Sequence, residues 1–428
     1  MSRKKRWIER LKTLLILLLT VSAAFLAWRT GLFQRMMPED DTPESVEPTP
    51  GVSSYQAAAE PICAAVTGAS GLVYGVCYDD AEMDALMRNF RTVLGETLGS
   101  ASDPVPAEES AWREALLAPG LFLDYGVPVS LNVLACWMGT TADFSPEQCA
   151  DRMLFSLPEE DRVVFYYLDE RGEAFSCETL ALGSTLAAGI NGYLPNGADF
   201  AMQIETLQAC DPYALILRDL PGLTSVTATG ERDNAALLTA ASLFGIKLNA
   251  AGSFQEQEDT VYLGDDGRLR VDADGGLRYL SAEGRTMGEA ETEADRIELS
   301  RSLLARLGSV CGGVGELQYA GAQVEEDRVT YRFEWQVNGI RVKLGSGSAG
   351  WAVFRGSRLE ELGFRPRTYL LTETNVDRIP PLQAAAAAGS MQAGSTPELV
   401  ISDPGGDVLI EPVWILRERS ALAWTAGN

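Results

Sequence analysis

The sequence predicts an α+β protein: a single N-terminal transmembrane helix followed by two or three extracytoplasmic domains of antiparallel sheets packed with helices. Three observations predict this class. A basic head precedes one long apolar run. Segments with helical period are followed by groups of short β-prone segments, without the regular strand–helix alternation of a parallel sheet. Asp-Gly and Asn-Gly steps separate several of these segments and indicate hairpins.

The first 54 residues predict a membrane anchor. Residues 1–12 form a basic head, which we expect in the cytoplasm because Lys and Arg beside a membrane segment are retained there. Residues 13–33 form the anchor, in which residues 13–28 are uncharged and Arg29 can snorkel to the headgroups. Residues 34–54 form an acidic, proline-rich linker. We therefore expect a single-pass cell-membrane protein with most of its chain outside the cytoplasm.

A cleaved signal peptide is the alternative to an anchor. Cleavage needs small residues at positions −3 and −1, and Val21 and Ala23 meet that need. That choice leaves only a short apolar region before them, so the uncleaved anchor is the preferred interpretation. The later apolar segments, residues 180–190 and 235–248, are too short to cross a bilayer.

Residues 55–207 are predicted as the N-terminal extracytoplasmic α+β domain. Amphipathic periods predict its helices at residues 82–98, 109–117 and 185–192. Residues 121–125 are extended, and a proline-marked turn at Val127-Pro128 leads into residues 131–138. Strands at 162–168 and 174–180 flank Asp169-Glu170-Arg171-Gly172, a hairpin signal.

Residues 208–290 are predicted as a middle α+β domain. A helix is expected at 234–244, followed by strands at 260–263, 268–271 and 277–281. Asp272 and Asp274 are interpreted as turn residues, because the segment lacks the glutamate at position twelve of a calcium-binding EF-hand loop.

Residues 291–428 are predicted as the C-terminal α+β domain. A helix at 294–310 precedes a meander whose Asn338-Gly339 step indicates a tight turn. The strands are predicted at 316–324, 328–337, 339–344, 351–354, within 361–372, and at 399–402, 408–411 and 413–417. A proline begins a predicted helix at 380–389. Four tryptophans of this domain are expected mostly in the core: Trp335, Trp351, Trp414 and Trp424.

The residue inventory leaves few catalytic options. The chain has no histidine, which removes Ser-His-Asp and Cys-His systems and every zinc site that uses histidine. Beyond the anchor the lysines are Lys247 and Lys343, without Ser-x-x-Lys spacing. No phosphate loop, dinucleotide fingerprint or metal motif occurs. We therefore predict no catalytic residue, no cofactor and no metal, although a pair of carboxylates remains chemically possible.

The charge is unevenly distributed. The net charge is −25, yet residues 1–35 carry eight basic residues and one acid. Residues 36–428 carry 27 basic and 59 acidic residues, a net charge of −32. A surface this acidic repels nucleic acid, so no nucleic-acid partner is expected.

The seven cysteines lie at 63, 77, 136, 149, 177, 210 and 311, with no Cys-x-x-Cys motif. If the compartment is oxidising, Cys63–Cys77 and Cys136–Cys149 are the candidate bridges nearest in sequence. The alternative is that the cysteines are small apolar core residues.

Several segments together resemble the YycH family. They are the anchor followed by Thr30-Gly31-Leu32-Phe33, LFLDYGVPVSLNVLACWM at 121–138, and Leu243-Phe244 with VYLGDDGRLRVDADGGLRYL at 261–280. Near the end, VTYRFEWQVNGI at 329–340 and EPVW at 411–414 resemble the helix-plus-strands modules of YycH and YycI, which are related in shape to PepSY domains.

This resemblance implies a function in signal transduction. It implies a membrane-anchored accessory regulator of a WalK-like sensor histidine kinase in a WalK/WalR-type system that controls cell-wall metabolism. The implied partners are that kinase and a YycI-like single-pass protein, with contacts inside the membrane. The resemblance implies no enzymatic activity, and residues 291–428 are implied to be the YycI/PepSY-like part.

The anchor offers four candidate partner-binding residues: Leu15, Leu18, Ser22 and Ala23. Small residues let two helices approach closely in lipid, although these side chains could equally face lipid alone. Two other functions stay open. One is a PepSY-like inhibitory or chaperone module for a secreted hydrolase, and the other is a carboxylate-dependent enzyme acting on the cell wall.

Overall fold

The protein has a mixed α+β fold in which antiparallel sheets are packed with helices, as the sequence predicts. The computed structural model describes residues 57–158, 161–230, 234–249, 252–283 and 285–417. These residues belong to one compact unit, Ser54–Asn428. The predicted head, anchor and linker lie outside the described residues. Within the described ranges no helix is long and apolar enough to cross a membrane.

Seven α-helices occur in the described residues. They are α1 (Asp80–Gly99), α2 (Glu109–Leu117), α3 (Leu131–Trp137), α4 (Gly183–Ile190), α5 (Ala235–Leu243), α6 (Glu293–Gly308) and α7 (Pro381–Met391). Their starts follow local chemistry. Asp79 caps α1 by accepting from the Glu82 amide, Thr292 and Asp295 form a capping box at α6, and a proline begins α7.

The first sheet has seven strands in the order β2-β1-β4-β5-β6-β7-β3. Its strands are β1 (Cys63–Thr67), β2 (Val73–Cys77), β3 (Val105–Pro106), β4 (Gly120–Ser130), β5 (Cys149–Ser156), β6 (Arg162–Leu168) and β7 (Ala174–Leu182). Side chains bond part of the backbone near both edges. The Asn196 side chain bonds the Gly75 amide and carbonyl, and Ser100 and Ser102 bond the backbone of β7.

Three further strands complete smaller sheets. β8 (Asp199–Phe200) pairs with β9 (Leu215–Ile216), and β10 (Thr224–Gly230) pairs on its two sides with β20 and β22, which are given below.

The largest sheet has eleven strands in the order β11-β12-β13-β14-β19-β18-β16-β17-β21-β23, with β15 paired to β16. The strands from β11 onward are β11 (Ser253–Glu256), β12 (Asp259–Leu263), β13 (Gly267–Val271), β14 (Leu277–Ser281), β15 (Glu316–Val324), β16 (Arg328–Val337), β17 (Ile340–Leu344), β18 (Gly350–Arg355), β19 (Arg358–Phe364), β20 (Arg367–Asn375), β21 (Thr396–Asp403), β22 (Val408–Ile410) and β23 (Val413–Arg417).

The two faces of the largest sheet differ. One face is the core face, where Leu269, Tyr279, Leu362, Ala352 and Tyr331 stand opposite one another across five strands and are all buried. Helix α6 packs against β15, β18 and β19, and Leu304 of this helix is buried. In each of these strands the residues next to the buried ones project to the opposite face, because side chains alternate along a strand. We call this opposite face the outer face.

Most predicted elements are confirmed within two or three residues at each end. The strands at 162–168, 277–281, 316–324, 328–337 and 413–417 and the helix at 109–117 are confirmed with their full bounds. Asp272 is confirmed as a turn residue, since its carboxylate accepts from the amides of Asp274 and Gly276. The boundaries at 207/208 and 290/291 stay a prediction, and strands β11–β14 share one sheet with β15–β19.

Other predictions were wrong or incomplete. The single strand expected within 361–372 is two strands, β19 and β20, because Pro366 lies between them and lacks the amide that would continue a ladder. Strands β1, β2, β3, β5, β8, β9, β10 and β11 were not predicted. Cys63–Cys77 is confirmed as a disulfide, whereas Cys136 and Cys149 are not bonded to each other.

The tryptophan prediction is confirmed in part. Trp335 is buried, whereas Trp351 and Trp414 are half-buried and donate to Glu361 and to the Ile379 carbonyl. Trp424 lies outside the described residues.

Candidate functional site

The four predicted partner-binding residues, Leu15, Leu18, Ser22 and Ala23, lie outside the described residues. Their role stays a prediction. Among the described residues no group of three His, Cys, Asp or Glu side chains is placed to hold a metal ion. Lys343 forms an ion pair with Glu334 at 2.9 Å, so its ammonium is held by a carboxylate rather than beside a nucleophilic serine.

A buried ionic cluster is the most unusual polar feature of the described structure. Arg152 of β5 lies between two carboxylates, with 2.7 Å from its Nη2 to Asp211 and 3.3 Å from its Nε to Asp124. Its side chain is only 2% exposed. Burial of a charge this deep is tolerated only when partners surround it. Arg152 therefore ties strands β4 and β5 to the segment that follows β8.

The same cluster continues into the last strands of the chain. Arg417 of β23 contacts Asp124 and also lies 3.9 Å from Glu398 of β21. Arg341 of β17 forms two hydrogen bonds to Glu398, of 2.8 and 2.7 Å. Thr396 donates to Asp211 at 3.0 Å. We call the six charged residues the ionic junction: Arg152, Asp124, Asp211, Arg417, Glu398 and Arg341.

The electrostatics of the ionic junction favour its ionised form. Burial pushes the pKa of Asp124 upward, but Arg417 and Arg152 outweigh burial and hold that pKa below its ordinary value. Burial acts likewise on Glu398, where Arg341 and then Arg417 lower the pKa. Arg152 Nη1 is buried and has no hydrogen-bond partner within the described structure. The junction is thus held by its charges, with one donor left unsatisfied.

A second contact joins the β16–β17 turn to the start of α1. Gly339 has φ +74°, and a Cβ at this position would lie 2.7 Å from the Asp79 amide nitrogen. Gln336 donates to Asp80 at 3.1 Å, and the Leu399 amide donates to the Tyr78 hydroxyl at 3.1 Å. Only glycine fits this approach of two backbones. Residues far apart in sequence are therefore locked together by the turn.

A carboxyl cluster lies beside the first described residues. Glu60 faces Asp84, Asp80 and Glu316, and these acids come from three separate parts of the fold. Burial, followed by the charge of Asp84 and a hydrogen bond to it, raises the pKa of Glu60 to about 8. The neighbouring backbone is fixed, because Ala58 accepts from the Tyr319 amide. Glu60 therefore keeps its proton at neutral pH when the chain is folded.

A shallow cleft of about 400 Å³ lies between residues 218–223 and 375–381. Leu223 and Val376 are buried there and are joined by a backbone hydrogen bond of 2.9 Å. Arg378 at the cleft already contacts Glu411 and the Pro412 carbonyl. Arg218, the other cation of the lining, lies 3.9 Å from Asp219. Because both cations lie beside carboxylates of the protein, the cleft does not identify a ligand class.

The ionic junction is a structural feature that holds its charges in fixed pairs. The carboxyl cluster brings together four acids that are distant in sequence. The cysteines also look structural, because burial raises the pKa of the thiols at Cys136, Cys149, Cys177 and Cys210 and so disfavours the reactive thiolate.

The fold itself matches a solved structure. It is similar to the crystal structure of YycH from Bacillus subtilis, with a TM-score of 0.50 and 10% sequence identity. The match covers 84% of this chain and 96% of that one. This chain has the YycH fold. The resemblance read from the sequence segments is thereby confirmed at the level of the fold, although at 10% identity the similarity carries no residue roles.

Comparison of the sequence with known proteins identifies no relative. A search against models of known protein families finds no match. No curated protein matches the chain either.

The ionic junction was missed by sequence reasoning. Asp124 and Arg152 lie in strands, where charged residues ordinarily face solvent, and Asp211 and Glu398 are distant in sequence. Pairing among residues separated by up to 293 positions leaves no local pattern. The raised pKa of Glu60 has the same origin, since its neighbours meet only in the folded chain.

Proposed function

We propose that this protein is a membrane-anchored extracytoplasmic accessory regulator of a WalK-like sensor histidine kinase that controls cell-wall metabolism. It acts by protein–protein contacts and has no catalytic activity. Its partners are that kinase and a YycI-like single-pass protein. The observation that carries the proposal is the YycH fold, matched over nearly the whole of the solved YycH chain.

Two sequence features support the membrane part of this proposal. The basic head and the apolar run at 13–33 support a cytoplasmic N-terminus with the remaining chain outside. The Cys63–Cys77 disulfide agrees with an oxidising compartment. The absence of histidine and the scarcity of lysine support a non-catalytic role.

Contacts within the membrane are the proposed means of action. Ser22 and Ala23 are the small residues of the proposed contact, and Leu18 and Leu15 precede Ser22 by four and seven residues, which would be about one and two turns of a helix. A partner helix approaches closely only where side chains are small, since packing rather than water drives association in lipid. Enlarging Ser22 and Ala23 should therefore hold the two helices apart.

Exchange of the anchor tests the proposal. Replacing residues 13–33 with an unrelated apolar helix, or making Ser22→Leu with Ala23→Leu, should reduce recovery of the kinase from membranes by about tenfold, which corresponds to roughly 1.4 kcal/mol. Val21→Leu is the matched control and should retain full recovery. If the chain with the exchanged anchor recovers as much kinase as the natural chain, the anchor does not contribute to kinase binding.

A further inference from the structure

The outer face of the largest sheet carries a row of large side chains. Directly opposed residues run from Arg270 through Arg278, Gly363 and Trp351 to Arg332, across five strands. Opposed residues in antiparallel strands project to the same side. Helix α6 packs on the core face of this sheet, so the row lies on the side that α6 leaves uncovered.

Trp351 is fixed at the centre of this row. Its ring lies over Gly363, where a Cβ would come within 2.0 Å of ring atoms. Its Nε1 donates to Glu361 at 2.7 Å, and the Arg365 guanidinium lies 5.0 Å from the ring centroid. Arg278 binds the same Glu361 through two bonds of 2.8 Å. A pre-organised aromatic and arginine group of this kind loses little entropy on binding.

The outer face is almost neutral in a strongly acidic molecule. Its arginines are Arg268, Arg270, Arg278, Arg328, Arg332, Arg355 and Arg358, together with Arg365 over Trp351. The carboxylates that accompany them are Glu256, Asp259, Glu289, Asp327, Glu360 and Glu361, and each forms an ion pair with one of these arginines. Over residues 36–428, in contrast, acids outnumber bases by 59 to 27.

Apolar side chains lie between the ion pairs. Leu280 and Val353 are half-buried, while Leu263 and Phe254 are 52% and 45% exposed. Arginine and aromatic residues are enriched in protein–protein interfaces relative to ordinary surface. The ion pairs of this face are already formed within one chain. A partner that covers the face therefore needs to supply few new charged groups to pair with them.

We propose that the outer face binds the same face of a second copy of this chain, as a two-fold dimer. Two extracytoplasmic parts of net charge −32 repel each other unless they approach through surface that carries both signs. The outer face meets this condition and is self-complementary, as a two-fold contact requires. This inference is independent of the proposed kinase partner.

The size of the face suits such a contact. Eight strands, from β11 to β14 and then β19, β18, β16 and β15, are adjacent in this region. At about 4.8 Å between strands and about 3.4 Å per residue, five residues on each cover roughly 570 Å² in projection. Side-chain relief raises the accessible area further, to the roughly 600–800 Å² per partner that small specific interfaces bury.

A paired acid substitution tests the dimer. Thr330 and Val353 face each other on the outer face and are half-buried. The full chain with Thr330→Glu and Val353→Glu is compared in detergent with the natural sequence by light scattering and sedimentation, over about 1–100 μM, because dimers dissociate on dilution. The matched control is Leu180→Glu with Leu194→Glu, which adds the same charge at positions 68% and 82% exposed.

The expected result is a dimer for the natural and control chains and at least a tenfold weaker dimer for the outer-face variant. Added salt should tighten the natural dimer, because it screens the repulsion between two acidic bodies. If the double variant unfolds, Arg268→Glu replaces it in the same measurement, because Arg268 lies at an exposed position of the outer face. A monomeric natural chain at high salt, or a variant that dimerises unchanged, would overturn the proposal. Dissociation of the dimer by added salt would overturn it too.

Discussion

Glu60→Gln is the substitution whose effect should depend most on pH. Glu60 lies against Asp84, Asp80 and Glu316, and burial together with these charges raises its pKa from 4.5 to about 8. In the unfolded chain the same carboxyl releases its proton near pH 4.5. The folded state therefore binds an extra proton between these two pH values, and stability falls as the pH rises through that window.

The magnitude follows from the shift. One pKa unit corresponds to about 1.4 kcal/mol, so an unscreened Glu60 would cost the folded state about 5 kcal/mol at and above pH 8. Glu60 is half-buried rather than fully buried, and water screens its repulsion. We therefore expect Glu60→Gln to stabilise the fold by about 1–2 kcal/mol at pH 8. Below pH 4.5 the glutamate is protonated in both states, and the gain should vanish.

Chemical unfolding of the full chain between pH 4 and pH 9 measures this gain. The matched control is Glu96→Gln, which makes the same charge change at an exposed position of α1 and should leave the slope with pH unchanged. A gain from Glu60→Gln that is constant across the range would refute the electrostatic explanation. A loss of stability at pH 8 would mean that Glu60 accepts a needed hydrogen bond in ionised form.

Three further predictions concern structure. Arg152→Met leaves Asp124 and Asp211 buried without their cation and should lower the free energy of unfolding by about 3–5 kcal/mol; a loss below about 1 kcal/mol in urea unfolding would contradict it. Gly339→Ala should cost at least about 2 kcal/mol more than Gly356→Ala, which has similar φ but open space around it; equal melting temperatures would disprove the backbone contact. Alkylation of the denatured chain should label five cysteines before reduction and seven after it, and seven before reduction would exclude the disulfide.

Elements with a strong local period were predictable from sequence. Helix α1 and strand β16 carry regular apolar positions, and the Asn338-Gly339 step marks the turn that follows β16. Strand β5 was missed because its sequence, CADRMLFS, places Asp and Arg inside an otherwise apolar strand. Arg152 can be buried there only because Asp211 and Thr396 reach it from distant segments. β10 was missed for a related reason, as its partners lie about 140 and 180 residues later.

The ionic junction and the carboxyl cluster were harder to predict than the strands, because their residues meet only in the folded chain. A count of 59 acids beyond residue 35 cannot say which three meet around Glu60 or which two flank Arg152. The cysteines divide in the same way. Cys63 and Cys77 pair because neighbouring strands β1 and β2 place them opposite each other, whereas Cys136 and Cys149 lie in a helix and a strand and stay reduced.

Crosslinking in native membranes tests the central proposal most directly. The full chain with its own anchor would be crosslinked, purified and read by mass spectrometry. Recovery of a sensor histidine kinase together with a second single-pass protein is the predicted result. Recovery of a secreted hydrolase without a kinase would contradict the regulatory function and favour an inhibitory or chaperone role.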